Sequence, residues 1–378
     1  MSDHPFHESA ADGGPADVTH PILASLGWTA DREAAFRPHA EVGLIPGRII
    51  SSGRVVVAAT ADGPMRIVIQ RRFRRSVIDP TQLPAVGDWL ALAPEATTLR
   101  QAAVRAVLPR SGTFIRNRLL DGQAQVLAAN VDLAFIVTGL DHDLNLRRIE
   151  RYVVLALDGR VRPIVLLNKA DVAVDLATAV AAVEAVAPGT PVLVSSAATG
   201  LGIEAIRDNI GAGMTACLLG SSGVGKSTLT NALLGEQRQA VRALRDDDSK
   251  GRHTTTHREL FLLAGGGMLI DTPGLRTVGV LGDAASMEAS FSDVAAVAQR
   301  CRFPDCQHAG EPDCAIREAI AGGELPAARL ASYQKLEAER RAVELRADAR
   351  SKRAADREQG RRYRRVARDA DRHKRGEQ

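Results

Sequence analysis

The chain is poor in cysteine, aromatic residues and lysine, and it has no long apolar run. Four cysteines among 378 residues are too few for a scaffold built on disulfides. No apolar stretch approaches the roughly 20 residues that span a bilayer, and residues 1–10 lack the basic start and apolar segment of a secretory signal. We therefore expect a cytoplasmic protein that does not associate with membranes.

Positive charge is concentrated at the C-terminal end. Residues 329–378 hold 17 Lys and Arg against 9 Asp and Glu, a net charge of +8, whereas the whole chain carries only +4. A basic tail of this kind favours a polyanionic partner such as RNA, although a solvated Arg/Glu helix fits the composition equally well. The positive residues are 43 Arg and 6 Lys, and two of these lysines, Lys169 and Lys226, lie in the motifs described below.

The length and the changes in composition predict several domains. Residues 1–40 have weak periodicity and are predicted to be a flexible arm, with a short helix near residues 22–26. Residues 41–110 contain short β-like runs separated by Gly and Pro, which indicates a small β-barrel. An arginine cluster in this region suits a nucleic-acid backbone if it forms a loop on the barrel, although an ordinary exposed hairpin tip fits nearly as well: Arg71, Arg72, Arg74 and Arg75.

Residues 111–282 alternate between apolar strand-like runs and helix-like stretches. Such alternation predicts an α/β domain, with a parallel sheet covered by helices on both faces. Residues 283–335 contain a Cys/His cluster and are predicted to form a small helical domain. Residues 336–378 complete the chain as a basic helical tail, and we expect the protein to be a monomer.

The strongest motif is GSSGVGKS, which follows a strand-like run and opens a helix-like one. It fits the phosphate-binding loop G-x4-G-K-[ST], whose glycines let backbone N–H groups surround an anion. In such a loop Lys226 neutralises the β- and γ-phosphates and the Ser227 hydroxyl ligates Mg²⁺. The nucleotide-binding residues predicted here are Gly220, Ser221, Ser222, Gly223, Val224, Gly225, Lys226, Ser227 and Thr228.

A second motif, Asn168-Lys169-Ala170-Asp171, follows the apolar run 163–167. The Asp171 carboxylate can accept hydrogen bonds from N1–H and the 2-amino group of guanine, which adenine does not offer. Ser196 and Ala197 follow another strand-like run and resemble the short loop whose backbone contacts guanine O6 in GTPases. Alone these signals are weak, but beside a phosphate loop in the same sheet they select GTP over ATP.

Two further segments suit a γ-phosphate and its Mg²⁺. Asp271 opens the sequence DTPG after a strand-like run and would hold Mg²⁺ through water, while the Gly274 N–H would contact the γ-phosphate. Three threonines at 254–256 lie in a polar stretch typical of a switch loop, and we assign Thr255 to Mg²⁺.

A Cys/His cluster has the spacing of a metal site. Cys301, Cys306, His308 and Cys314 give C-x4-C-x-H-x5-C, and three thiolates with one imidazole suit a closed, tetrahedral, structural Zn²⁺ site. A redox cluster is the less favoured alternative. Cys217 precedes the phosphate loop and is predicted to be a core residue.

The order of the motifs is unusual, because NKAD and the Ser196 segment precede the phosphate loop instead of following it. A circular permutation of this kind leaves a packed sheet unchanged when the original termini lie close together. Together with the Val86–Trp89 stretch, the residues 251–256 and the Cys/His cluster, this order resembles the ribosome small-subunit-dependent GTPase A family over about residues 41–335. The resemblance implies an OB-fold barrel, a circularly permuted GTPase domain and a C-terminal zinc domain.

The resemblance also implies GTP hydrolysis that the small ribosomal subunit accelerates, and a role in the late maturation of that subunit and its rRNA. Leu275 stands where many GTPases place a glutamine that orients water, so we expect slow intrinsic hydrolysis. His253 is our candidate for positioning the water, and Lys226 for stabilising developing charge. Two other classes remain open at this point: a non-enzymatic RNA-binding protein with GTP as a structural ligand, and a GTP-driven metal chaperone, which the closed ligand set disfavours.

Overall fold

The computed structural model describes residues 20–77, 79–95, 100–117, 124–235, 258–271 and 284–345. Among these residues, no helix combines the length and the apolar character needed to cross a membrane. The basic tail beyond residue 345 lies outside the described residues, as do residues 1–19.

The first part of the fold is a closed five-stranded barrel. Its strands follow the order β1-β2-β3-β5-β4, and β4 pairs again with β1, which closes the barrel. The pairing of β3 with β5 is parallel and the other pairings are antiparallel. The expected OB-like barrel is therefore confirmed. Its strands are β1 (Ile45–Ser52), β2 (Val56–Thr60), β3 (Gly63–Val68), β4 (Trp89–Pro94) and β5 (Gln101–Val107).

The arginine cluster of the barrel is a helix rather than the expected loop. Helix α3 (Arg71–Ser76) lies between β3 and β4, and none of its residues is buried. Strand β3 ends at Val68, and the arginines that follow it form this exposed basic turn of helix.

Residues 20–40 contain the short helix expected near residues 22–26, but they are not otherwise the flexible arm that the sequence predicts. They form α1 (Pro21–Ser25) and α2 (Ala30–Ala40), and the side chain of Thr29 caps α2 by accepting a hydrogen bond from the Arg32 N–H. Four apolar side chains from this segment enter the main core: Leu23, Leu26, Trp28 and Phe36. Their burial offsets the entropy of ordering the segment, and Trp28 packs edge-on against Trp89 of the barrel with ring centroids 4.7 Å apart.

The sheet of the α/β domain follows a small hairpin of β6 (Thr113–Asn117) and β7 (Ala124–Ala129). It is ordered β10-β9-β8-β11-β13-β12, with parallel pairings except for antiparallel β12. Its strands are β8 (Leu133–Gly139), β9 (Arg162–Asn168), β10 (Val192–Val194), β11 (Thr215–Leu219), β12 (Arg258–Leu262) and β13 (Met268–Asp271). The accompanying helices are α4 (Leu146–Asp158), α5 (Leu176–Val186), α6 (Ile203–Asn209) and α7 (Lys226–Leu234).

Helices cover both faces of this sheet, because successive side chains of a strand point to opposite sides. Leu133, Phe135 and Val137 of β8 pack with α6 and α7, whereas Ala134 and Ile136 join the cluster that contains α4 and α5. The expected α/β domain is thus confirmed, with one antiparallel strand in place of a wholly parallel sheet. Through β12 the sheet continues into the barrel, since Ser51 and Ser52 of β1 pair with Glu259 and Arg258.

The C-terminal part forms a helical module on α4. It contains α8 (Ala284–Ser290), α9 (Ser292–Ala298), α10 (Ala315–Ala321) and a helix over residues 327–345. Val154 of α4 belongs to the same apolar cluster as Phe291 and Ile316 of the module. The boundary expected between residues 335 and 336 falls inside the continuous helix 327–345.

Candidate guanine-nucleotide site and metal centre

The phosphate-loop motif forms a tight turn between β11 and α7. Gly220, Gly223 and Gly225 have φ angles of 149°, 85° and 97°, a region that glycine adopts without strain. A Cβ at Gly225 would lie 2.4 Å from the Asn168 side-chain nitrogen, and one at Gly220 would lie 2.4 Å from the Val137 carbonyl oxygen. The glycines therefore permit both the turn and its close approach to the neighbouring strands.

The turn leaves donors available at the start of α7. Ser227 and Thr228 are exposed there, and the first-turn N–H groups of a helix have no intrahelical acceptor. The Lys226 ammonium donates to the carbonyl oxygen of Gly220 at 2.9 Å and also to that of Ser221. One cation and several N–H groups thus lie along one short segment, which suits a polyphosphate.

The two motifs that are reversed in the sequence meet in space. The Asn168 side chain at the end of β9 donates to the Val224 carbonyl of the phosphate loop at 2.8 Å. Asn168 is buried, and its side-chain oxygen accepts from the Ala197 N–H and the Ser195 hydroxyl, each at 3.2 Å. A single amide therefore joins the phosphate loop, the NKAD segment and the segment after β10.

The Asp171 carboxylate is exposed beside this junction. Asp171 lies in a 3-10 turn after β9 and accepts a hydrogen bond from the Ser196 hydroxyl. The Ala170 N–H donates to the Ser195 carbonyl at 3.0 Å, which holds the two segments together. Backbone N–H groups and one carboxylate are the donors and acceptors that a guanine edge requires.

An acidic loop that the sequence analysis missed borders the site. Asp141 accepts from the Lys169 ammonium at 2.5 Å, which is the main reason that the pKa of Asp141 lies below its ordinary value. Asp143 accepts from the Ser221 hydroxyl at 2.6 Å and from Arg148 at 2.8 Å. The signal in the sequence is the DHD triplet directly after a buried strand, where ligand-binding residues collect in such sheets.

Asp271 ends β13, next to the strand that carries the phosphate loop. Ile270 is paired with Cys217 of β11, so Asp271 lies at the same sheet edge as Gly220. Three further predicted site residues lie outside the described residues: His253, assigned to the attacking water, Thr255, assigned to Mg²⁺, and Gly274, assigned to the γ-phosphate. Cys217 itself is fully buried, as expected for a core residue, and burial raises the pKa of its thiol.

The Cys/His cluster is brought together as the spacing predicts. The ligand atoms of Cys301, Cys306, His308 and Cys314 all lie within 4.8 Å of one another. The Nδ1 atom of His308 is 3.6 Å from the Cys301 sulfur and 3.5 Å from the Cys314 sulfur. Zinc bonds of about 2.3 Å to sulfur and 2.0–2.1 Å to nitrogen place a sulfur and a nitrogen ligand of a tetrahedral site about 3.5–3.6 Å apart, so the two distances from His308 fit this metal.

One thiol of this cluster and one carboxylate of the loop around it have shifted pKa values. Desolvation, followed by hydrogen bonds with Cys314 and Cys301, raises the pKa of the Cys306 thiol to about 11. Binding of zinc as thiolate ligands would therefore release protons. The Glu311 carboxylate accepts from the backbone N–H groups of Gln307, Ala309 and Gly310, and these bonds lower its pKa to about 2.

Comparison with protein families agrees with this geometry. The RsgA GTPase family matches residues 107–281. The small ribosomal subunit biogenesis GTPase RsgA of Opitutus terrae is 44% identical over 336 residues, covering 86% of this chain and 92% of the relative. The protein of the same name from Streptomyces coelicolor is 44% identical over 338 residues, covering 88% and 90%.

Solved structures agree as well. YjeQ from Thermotoga maritima aligns with a TM-score of 0.59 at 26% identity, over 79% of this chain and 98% of that chain. YloQ, described as a circularly permuted GTPase, aligns with a TM-score of 0.54 at 21% identity, over 79% and 96%, and supports the fold alone. With relatives at 44% identity spanning 86–88% of its length, this chain belongs to the RsgA GTPase family.

Proposed function

We propose that the protein hydrolyses GTP to GDP and phosphate in the late assembly of the small ribosomal subunit. The observation that carries the proposal is the hydrogen bond from Asn168 to Val224, because it joins a guanine-selecting segment to a phosphate loop at one sheet edge. Relatives at 44% identity bear the name of small ribosomal subunit biogenesis GTPases, which supports the ribosomal role.

At the phosphate end, Lys226 and the backbone N–H groups of residues 220–228 bind and orient the triphosphate. These fixed positive groups stabilise the charge that develops as water attacks the γ-phosphoryl group in line. Ser227, Thr255 and Asp271 would hold Mg²⁺, which supplies further charge neutralisation when bound. The Gly274 N–H would contact the γ-phosphate.

At the base end, Asp171 accepts from N1–H and the 2-amino group of guanine. The hydrogen bond from the Ser196 hydroxyl orients the carboxylate. The next residue, Ala197, is held in place by the hydrogen bond from its N–H to the Asn168 side chain. Lys169 would lie along the nucleotide, held by Asp141. An adenine ring presents an acceptor and no amino group at these positions, which leaves Asp171 unpaired and disfavours ATP.

Water activation is the slow step of the proposal. Leu275 has no hydrogen-bonding side chain, and His253 is assigned to position the water. We expect low intrinsic turnover and strong acceleration by small ribosomal subunits. Exposed arginines of α3 and the basic tail supply charge for rRNA contacts, and the Cys3His cluster would hold one structural Zn²⁺. The protein acts as a cytoplasmic monomer in this account.

Multiple-turnover phosphate release, with and without purified small subunits, tests the proposal. We expect small subunits to accelerate turnover. Lys226→Ala should abolish turnover, and His253→Ala should abolish only the stimulation by subunits. Tight GTP binding with no turnover under either condition would instead indicate a non-enzymatic RNA-binding protein. An unaltered rate in His253→Ala would remove that residue from the mechanism.

A further inference from the structure

The loop between β8 and α4 contacts the phosphate loop from outside the nucleotide motifs. Within this loop, residues 140–145, Asp143 accepts a hydrogen bond from the Ser221 hydroxyl at 2.6 Å. Ser221 is the second residue of the phosphate loop, and its own carbonyl oxygen accepts from the Lys226 ammonium. Ser221 is therefore held from both sides, by an aspartate through its side chain and by a lysine through its backbone.

The Asp143 carboxylate is itself fixed by two neighbouring elements. The carboxylate oxygen that does not contact Ser221 accepts from Arg148 of α4 at 2.8 Å. The backbone carbonyl of Asp143 accepts from the Thr138 hydroxyl of β8 at 3.2 Å. The Arg148 N–H is in turn hydrogen-bonded to the side chain of Asn145, the residue that caps α4. Side-chain exposures of 27% for Asp143 and 31% for Arg148 show a partly shielded ion pair.

This arrangement can hold the phosphate loop without disturbing the anion that the loop binds. A carboxylate near a polyphosphate would normally repel it, but Arg148 balances the charge of Asp143. Gly220, Gly223 and Gly225 give the backbone of the loop more conformational freedom than other residues would. The hydrogen bond at the Ser221 side chain restricts this freedom. Groups that are already aligned lose less entropy when a ligand binds.

We propose that Asp143, supported by Arg148, is a positioning residue that fixes the phosphate loop through Ser221 and thereby aligns Lys226. This role rests on the proposed function as a guanine-nucleotide site. The bond between Asp143 and Ser221 joins two side chains of the protein and involves no phosphate group, so it strengthens binding of GTP and GDP alike. Its loss raises KM for GTP and Kd for GDP together.

A double-mutant cycle on the full-length protein tests this role. Ser221→Ala and Asp143→Ala should each raise the Kd of GDP about tenfold, as expected for a charge-assisted hydrogen bond, and the double variant should lose no more than either single one. Asp143→Asn keeps an acceptor for the Ser221 hydroxyl and should recover most of the affinity. Asp208→Ala, which removes an exposed carboxylate on α6, is the matched control and should bind GDP like the unaltered protein.

Calorimetric titration with GDP and Mg²⁺ gives these affinities, and thermal unfolding without nucleotide reports stability separately. The positioning role would be overturned if the two losses of GDP affinity multiplied in the double variant. It would also be overturned if the Kd of GDP were unchanged in both single variants. A loss that Asp143→Asn does not relieve would also contradict it. Absence of GDP binding by the unaltered protein would instead remove the proposed function, so the two failures are distinguishable.

Discussion

At the scale of a single side chain, we propose that Asp171 selects the base. Its carboxylate would accept two hydrogen bonds from guanine, whereas an asparagine would accept one and donate one. Xanthine carries a carbonyl oxygen in place of the 2-amino group, so Asp171→Asn should lower GDP affinity by about 100-fold and raise the affinity for xanthosine diphosphate. Competition with a fluorescent nucleotide measures both changes.

Asp175→Asn is the matched control for this change. Asp175 caps α5 by accepting from the Thr178 N–H, and an asparagine caps helices equally well. Its GDP affinity should be unaltered. Preference for guanine over xanthine that persists in Asp171→Asn would show that Asp171 does not read the base.

Glu311 shapes the loop that carries His308, which has a φ of 59°, uncommon for a residue with a side chain. The carboxylate accepts from three backbone N–H groups between residues 307 and 310. Glu311→Ala should lower zinc affinity about tenfold, since residues that orient metal ligands typically contribute that much, and Glu311→Gln should lower it less.

Competition with a chromophoric chelator measures zinc affinity in these variants. Asp305→Ala is the control, because the exposed side chain of Asp305 lies in the same segment. Among the described residues, it forms no hydrogen bond with any of the four ligands. Equal affinity in Glu311→Ala and Asp305→Ala would contradict a role for Glu311 in the metal loop.

The sequence carries the main site residues because their chemistry is local. A phosphate loop needs glycines and a lysine in adjacent positions, and a zinc site needs closely spaced thiolates, so both patterns are visible without a fold. Asp143 and Glu311 carry no such pattern, because one acts on Ser221 across 78 positions and the other acts through backbone groups. Only the folded chain shows which partner each carboxylate finds.

At the scale of elements, Arg329 joins the C-terminal module to the sheet. Its side chain is 2% exposed and donates to Glu150 of α4 at 2.6 Å, to Asp293 of α9 at 2.9 Å and to the Val186 carbonyl at 2.8 Å. It also lies 4.0 Å from the centre of the Phe291 ring. The module is thus attached to α4 through a buried charge as well as through apolar packing.

Arg329→Met should destabilise this attachment by about 3–5 kcal/mol, because it leaves the buried Glu150 carboxylate without its cation. The double variant Arg329→Met/Glu150→Leu should regain much of that loss. Arg300→Met is the control, since its ion pair with Glu324 is more than half exposed on both sides and should contribute less than about 1 kcal/mol. Urea unfolding measures these differences, and equal effects of both arginine changes would contradict the attachment.

The alternation of strands and helices in the α/β domain was predicted from the sequence, and the reason is physical. Buried parallel strands are continuous apolar runs, and helices such as α5 and α7 have clear ends. The pairing of β12 with β1 depends on contacts about 200 positions apart, which no local pattern encodes. The packing of residues 20–40 was not predicted, because their weak periodicity does not indicate that four of their apolar side chains enter the core.

At the scale of the whole molecule, the barrel, the N-terminal helices and the sheet meet at one junction. Arg48 of β1 is fully buried there and donates to the carbonyl oxygens of Leu26 and Asn130 and to the Thr215 hydroxyl. Burial is the main cause that lowers the pKa of Arg48 to about 9. This junction lies at the start of β11, so the barrel is anchored at the sheet edge opposite the phosphate loop.

Gly27 tests the docking of the N-terminal helices at this junction. It has a φ of 81°, and a Cβ there would lie 2.4 Å from the Gly213 carbonyl oxygen. Gly43 has a similar φ of 78° but no atom within 4 Å of such a Cβ. Gly43→Ala should therefore cost only the backbone strain of about 1–2 kcal/mol, and Gly27→Ala should cost clearly more in urea unfolding. Equal losses would contradict the close approach.

The central claim is that segments reversed in the sequence form one guanine-nucleotide site. Calorimetric titration of the full-length protein with GDP and with ADP, each with Mg²⁺, tests it most directly. We predict one GDP site per chain and at least about 100-fold weaker binding of ADP, because adenine leaves the Asp171 carboxylate unpaired. Equal affinities for the two nucleotides would contradict the account.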